Sequence, residues 1–113
     1  MENIKIIGLP VIVSERHRIV LDKNIRTLFN IKRNDEVKMK MLKGFIFVYP
    51  FGDEDDDVGK KKLISAGRFN LPMDWVKENE IDLGDFIFLV ATDEGILICP
   101  KNLELTCIGG IVQ

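Results

Sequence analysis

The chain has 113 residues, 46% of them hydrophobic and 30% charged, and its sixteen Lys and Arg against eighteen Asp and Glu leave a formal net charge of −2. This is the make-up of one compact soluble domain, or of two small units sharing a core. It excludes wholesale disorder and a protein that holds nucleic acid by bulk positive charge.

The longest purely apolar run, residues 86–91, is far short of the ~20 residues a helix needs to cross a bilayer. Residues 6–13 are apolar, but Pro10 interrupts them and Ser14, Glu15, Arg16, His17 and Arg18 follow, where a secretory signal would carry a small-residue cleavage site. Cys99 and Cys107 are spaced too widely for a metal-binding pair, and His17 is the one histidine. Buried free thiols, no membrane and a cytoplasmic location are the expectation.

In chain order, the β-branched stretch 4–13 predicts a strand broken near Gly8 and Pro10, and residues 18–21 predict a short second strand. Asp22 is placed to cap a helix over 23–30, with Ile25, Leu28 and Phe29 at i, i+3 and i+4 on one face. Residues 36–41 alternate Glu36, Lys38 and Lys40 with Val37, Met39 and Met41, the pattern of a half-buried strand. Lys43 and Gly44 turn the chain into a return strand over 45–49.

Gly52 and the five acidic residues 53–57 predict a solvated linker, because like charges repel. They lack the glycine and terminal acidic ligand of an EF-hand loop. Strands are then expected over 60–65 and 68–71, and a helix opening at Pro72 with Trp75 and Val76 as anchors. A strand over 85–91, a turn at Asp93, Glu94 and Gly95, and a strand over 96–99 complete the order. Residues 103–112 have further strand character.

The second series repeats the first. At a constant shift of fifty residues, Arg18, Leu21, Ile31, Asp35, Ile46 and Pro50 meet Arg68, Leu71, Ile81, Asp85, Ile96 and Pro100. Apolar positions coincide as well, as at Ile19 and Phe69, Ile25 and Trp75, and Val37 and Ile87. The division expected is a unit over 1–51, an acidic linker over 52–59 and a second unit over 60–113.

The second unit carries Gly67-Arg68, Leu71-Pro72, a short helix, Ile81 followed by Gly84-Asp85, and a hairpin ending at Pro100. In this it resembles the AbrB/SpoVT/MazE family of bacterial and archaeal DNA-binding domains. The first unit resembles a divergent copy, with His17, Asp22 and Asn34 where the pattern has Gly, Pro and Gly. The resemblance implies a mostly β fold with two short helices, closed as a swapped-hairpin β-barrel that a single chain forms as a pseudo-dimer. It also implies a cytoplasmic DNA-binding transcription regulator without enzymatic activity or cofactor, with duplex DNA as partner. The DNA-binding residues carried over are Arg16, Arg18, Arg26, Lys61, Arg68 and Lys77. In that comparison Lys61 aligns with Val11 of the first unit.

Other readings of the same residues stand beside this one. Arg18 and Arg68 have a second reading, as structural ion pairs with Asp35 and Asp85, which themselves suit bracing the turn before each hairpin. Lys60, Lys61 and Lys62 equally suit a charged edge that discourages aggregation. With half of the basic set lost and a negative net charge, the alternative function is a degenerate barrel used for protein–protein interaction or oligomerisation, as an adaptor or in an antitoxin-like role. The partner is then the chain itself or another protein. No Ser/His/Asp group, glycine-rich phosphate loop or metal cluster supports an enzyme.

Overall fold

The computed structural model describes residues 8–42, 44–50 and 59–100. The expected strand character of 103–112, the first part of the 4–13 strand and the acidic run 53–57 lie outside the described residues, as does Cys107.

The chain is mostly β. Its elements are β1 (Leu9–Ile12), a 3-10 turn (Glu15–His17), β2 (Arg18–Val20), α1 (Lys23–Leu28), β3 (Asp35–Leu42), β4 (Phe45–Pro50), β5 (Lys60–Ile64), β6 (Arg68–Asn70), α2 (Met73–Glu78), β7 (Phe86–Ala91) and β8 (Ile96–Cys99). Six strands form one antiparallel sheet in the order β1-β7-β8-β4-β3-β5, and β2 and β6 form a separate two-stranded ribbon.

The pairing crosses between the halves. β1 pairs with β7 (Leu9 opposite Leu89) and β5 with β3 (Lys60 opposite Met39). β4 and β8 meet at the middle of the sheet around Phe47 and Leu97. β2 and β6 meet around Ile19 and Phe69. Exchanging β1 with β5, β7 with β3 and β8 with β4 leaves the strand order unchanged, so the sheet has an approximate twofold axis through its central pair.

The core lies between the ribbon, the helices and one face of the sheet. Ile19, Leu21, Phe69, Leu71 and Trp75 pack there with Val37, Met39, Ile46, Val48, Ile87, Leu89, Ile96 and Ile98. The alternation read over 36–41 fits this register, since Val37 and Met39 point into the core while Lys40 stands across from Phe47 on the other face. Gly44, at φ +80°, makes the turn between β3 and β4 in a conformation that a Cβ disfavours. The Trp75 indole N–H is buried with no hydrogen-bond partner among the described residues.

Three expectations are corrected. First, the swapped-hairpin barrel is not formed, and the likeness to the AbrB/SpoVT/MazE family fails with it. β1 and β5 remain the two edges of an open sheet. Each edge strand is carried away by a tight turn, bridged Ser14 to Arg18 and Ser65 to Arg68. The turns use left-handed backbone at Arg16, His17, Ala66 and Gly67. The strands that leave them, β2 and β6, pair with each other, and no ladder among the described residues joins the sheet's edges.

Second, α1 buries no residue completely, and Leu28, expected on one face with Ile25 and Phe29, is 68% exposed. The helix ends at Leu28, and Asn30 turns back at φ +57°. Less than two turns of helix leave only Ile25 and Phe29 against the core. Third, Lys61 corresponds to Pro10 and not to Val11. Leu9 faces Leu89 as Lys60 faces Met39, so the edge strands are offset by fifty-one, because the turn before β2 is one residue longer.

Candidate interaction surface

The six basic residues lie on six different elements. Arg26, on α1, is half-buried and turned inward. Its Nε donates to the Leu21 carbonyl at 2.9 Å and its Nη1 to the Ile31 carbonyl at 3.4 Å. It stands where α2 has buried Val76, and it ties the two ends of the α1 segment together. Arg18, on β2, is half-buried and its Nε is sealed from solvent without a hydrogen-bond partner among the described residues. Arg68 is exposed on β6, one residue from the Ile19–Phe69 pair. Arg16 sits in the 3-10 turn, Lys61 on the β5 edge and Lys77 on α2, all exposed.

The loops ahead of β2 and β6 are bound into the fold. The Leu71 N–H donates to the His17 carbonyl at 2.9 Å, and the Leu21 N–H to the Gly67 carbonyl at 2.8 Å. The Gly67 N–H donates to the Arg33 carbonyl at 2.8 Å, and the Ala66 N–H to Asn34 Oδ1 at 2.8 Å. With neither a closed barrel nor a network of basic loops, the DNA-binding function and the duplex-DNA partner are overturned. Asp35 and Asp85 do brace the turns before β3 and β7. Asp35 accepts from the Lys32 and Glu36 N–H groups at 3.1 and 2.9 Å, and Asp85 from the Asp82 N–H at 2.7 Å.

What the sheet does present is an apolar outer face. Directly opposed residues of antiparallel strands share a face, which places Ile12 with Phe86, Phe88 with Cys99, Val90 with Leu97, and Leu97 with Phe47. Phe45 with Leu42 and Tyr49 with Lys38 continue the same face. Five of the chain's nine aromatic residues (seven Phe, one Tyr, one Trp) therefore point away from the core. Phe47 and Tyr49 stack at 5.4 Å between ring centroids, and Lys40 Nζ lies 5.3 Å from the Tyr49 ring centre. An antiparallel sheet with one wet face normally carries polar side chains there.

The middle of this face is sealed. Val90 is buried, and Cys99 is a buried free thiol whose pKa burial pushes up to about 12. Its β1–β7 corner is open. Ile12 is 53% exposed, Phe86 51% and Leu83, in the turn before β7, 54%. The Gly84 N–H donates to the Val13 carbonyl at 2.8 Å and fixes that turn beside β1. The twofold-related corner carries Leu63, 69% exposed and opposite Glu36, with Arg33 in the place of Leu83.

The α1 and α2 segments differ in charge. Residues 23–35 hold Lys23, Arg26, Lys32 and Arg33 against one carboxylate, Asp35. Residues 73–85 hold Asp74, Glu78, Glu80, Asp82 and Asp85 against one cation, Lys77. Lys23, Arg26, Lys32 and Arg33 line a shallow cleft of about 500 Å³ with Thr27, Asn30 and Ile31. The lysines of the β5 edge and the opposed apolar corners were visible in the sequence as single residues. Their grouping depends on strand pairs that cross between the halves, which no local pattern announces.

No helix among the described residues is long and apolar enough to cross a membrane. No known protein family, curated protein or solved structure matches the chain.

Proposed function

We propose that this chain is a non-catalytic protein-interaction or oligomerisation module. The observation that supports it is the sheet's second apolar face, whose Ile12–Phe86 pair and neighbouring Leu83 stand open to solvent beside acidic residues. An apolar centre within a polar rim is the anatomy of a protein–protein contact. Contiguous exposed apolar groups of this kind mark interaction sites on folded proteins. A buried, unreactive Cys99 suits the cytoplasm, which is where we place the module.

The test compares the wild-type chain with Ile12→Ser/Phe86→Ser. Both positions face outward, so the variant keeps the fold, checked by an unchanged far-ultraviolet spectrum. Wild type is expected to bind a protein chain, its own or another, at least about tenfold more tightly than the variant, read by calorimetry with the purified partner. A wild-type chain that stays monomeric and binds nothing that the variant does not also bind overturns the reading.

A further inference from the structure

The two halves share a fold and a register, yet their corresponding surfaces have opposite chemistry. Lys23, Arg26, Lys32 and Arg33 stand where the second half has Met73, Val76, Asp82 and Leu83. Asn30 stands where it has Glu80, and both adopt left-handed backbone at φ +57° and +53°. In the sheet, Glu36 stands where Phe86 does. One surface is a cationic cleft. The other carries the exposed apolar residues Leu83 and Phe86, close in the chain to the exposed carboxylates Glu80 and Asp82.

We propose that these two surfaces bind each other between copies, so that the chain assembles head to tail with a second copy of itself. This rests on the interaction-module reading above and names its partner. Three features favour a second copy as the occupant.

The exposed charges are complementary, Lys23, Lys32 and Arg33 on one segment against Glu78, Glu80 and Asp82, with Lys77, on the other. Complementary potentials steer encounter and fix the register of an interface. The cationic loop is held in place before binding, since the Arg33 carbonyl and Asn34 Oδ1 accept from the Gly67 and Ala66 N–H groups, both at 2.8 Å. Little ordering is left for association to impose on it. Apolar groups are available on both sides, since Leu83 and Phe86 are exposed at one corner of the sheet and Leu63 at the twofold-related corner.

The two surfaces are different patches, so the contact is heterologous. It repeats, and closes into a ring or runs on as a filament according to the rotation between copies. A symmetric contact pairing like surfaces would set cations against cations, which the charge pattern opposes.

The experiment is sedimentation velocity on the full chain over a wide concentration range, at low salt and at ~1 M salt, where the Debye length falls from tens of ångströms to ~3 Å. Three variants are compared with wild type: Lys32→Glu/Arg33→Glu, Glu80→Lys/Asp82→Lys, and the fourfold charge swap that combines them. All four positions are exposed.

Wild type is expected to grow beyond a dimer with concentration at low salt and to return towards monomer at high salt. Each double variant alone is expected to associate at least roughly 10-fold more weakly. An equimolar mixture of the two double variants, and the fourfold swap alone, are expected to recover assembly. Recovery separates charge pairing from unfolding, because a misfolded variant does not regain assembly when mixed.

Wild type that stays monomeric at every salt, assembly that stops at a dimer, or double variants that assemble as wild type does would each overturn the proposal. A monomeric wild type that still binds a foreign protein through Ile12 and Phe86 overturns self-assembly alone and leaves the module reading standing.

Discussion

Replacing Phe69 by Ala tests whether the β2–β6 ribbon is the lid of the core. Phe69 has no exposed surface and lies opposite Ile19, itself 1% exposed, at the centre of the ribbon. Losing a buried Phe side chain costs about 3–5 kcal/mol, the transfer of its apolar surface plus a term for the cavity left behind. The upper part of that range applies here. Collapse of the site is opposed by Leu21, Leu71 and Trp75, all part of the same packed cluster.

Lys62 Nζ, 5.6 Å from the Phe69 ring centre, loses its aromatic partner as well, which adds about 0.5–1 kcal/mol. Against a domain stability of about 5–15 kcal/mol, the change removes a large fraction of the total. With a slope of about 1–3 kcal/mol per molar urea, the unfolding midpoint falls by about 2 M.

Trp75 is the one tryptophan and is buried in the same cluster, so its fluorescence reports the transition. Far-ultraviolet circular dichroism supplies an independent probe. Phe69→Leu, which keeps most of the volume, is expected to cost less than about 1.5 kcal/mol. A Phe69→Ala midpoint within about 0.5 M of wild type, with an unchanged slope, would show that the ribbon does not hold the core closed.

Three smaller changes probe the difference between the halves and the sheet's sealed face. Asp22 Oδ2 accepts from the Asn24 and Ile25 N–H groups at 2.9 and 3.2 Å, so Asp22→Ala is expected to cost about 1 kcal/mol in urea unfolding. Pro72→Ala at the uncapped start of α2 is expected to cost less, and a reversed order would refute the capping argument. Cys99 has its thiol pKa raised by burial from 9.0 to about 12, so the unfolded state loses its proton first as pH rises. The stability this confers is full below pH ~9 and is lost progressively between ~9 and ~12, with a slope approaching about 1.4 kcal/mol per pH unit. In a Cys107→Ser background, Cys99→Ala is expected to flatten that part of the stability–pH curve. Equal slopes with and without the thiol would refute it.

Local physics made much of the secondary structure legible. Asp22 before a short apolar-periodic stretch marked the start of α1, and the side chain caps it. The Glu36–Met41 alternation marked a strand whose apolar side enters the core. Asp35 and Asp85 marked the turns they brace.

What failed was the closure of the sheet and the register of its edge strands, both set by long-range pairing. Whether a sheet closes depends on its edge strands meeting, and the short stretches after Ser14 and Ser65 read the same whether they extend a barrel or leave it. They leave it, because Ile19 and Phe69 find each other. The extra residue before β2 slid the edge-strand comparison by one, so Lys61 was set against Val11 when Pro10 holds that place. The basic residues were legible as charges and not as directions. Nothing in the residue order shows that the Arg26 guanidinium bends inward to the Leu21 carbonyl. The outward aromatic face was concealed for a related reason. Apolar residues fill both phases of β7 and β8, and such runs signal burial without saying that the second face lies outside the core.

The crossed pairing also governs how the protein is made. β1 finds its ladder on β7, with Leu9 opposite Leu89, so among the described strands the first in the chain waits for the seventh. The β3–β4 hairpin and the Asp22-capped turn of helix form from neighbours in the chain, but the ribbon needs β6 and the sheet's centre needs β8. Until then the nascent first half displays unpaired strand edges and the apolar side of β3, the condition under which growing chains stick to one another. The ladders that β1, β2 and β4 make with β7, β6 and β8 can form only once the second half has been made.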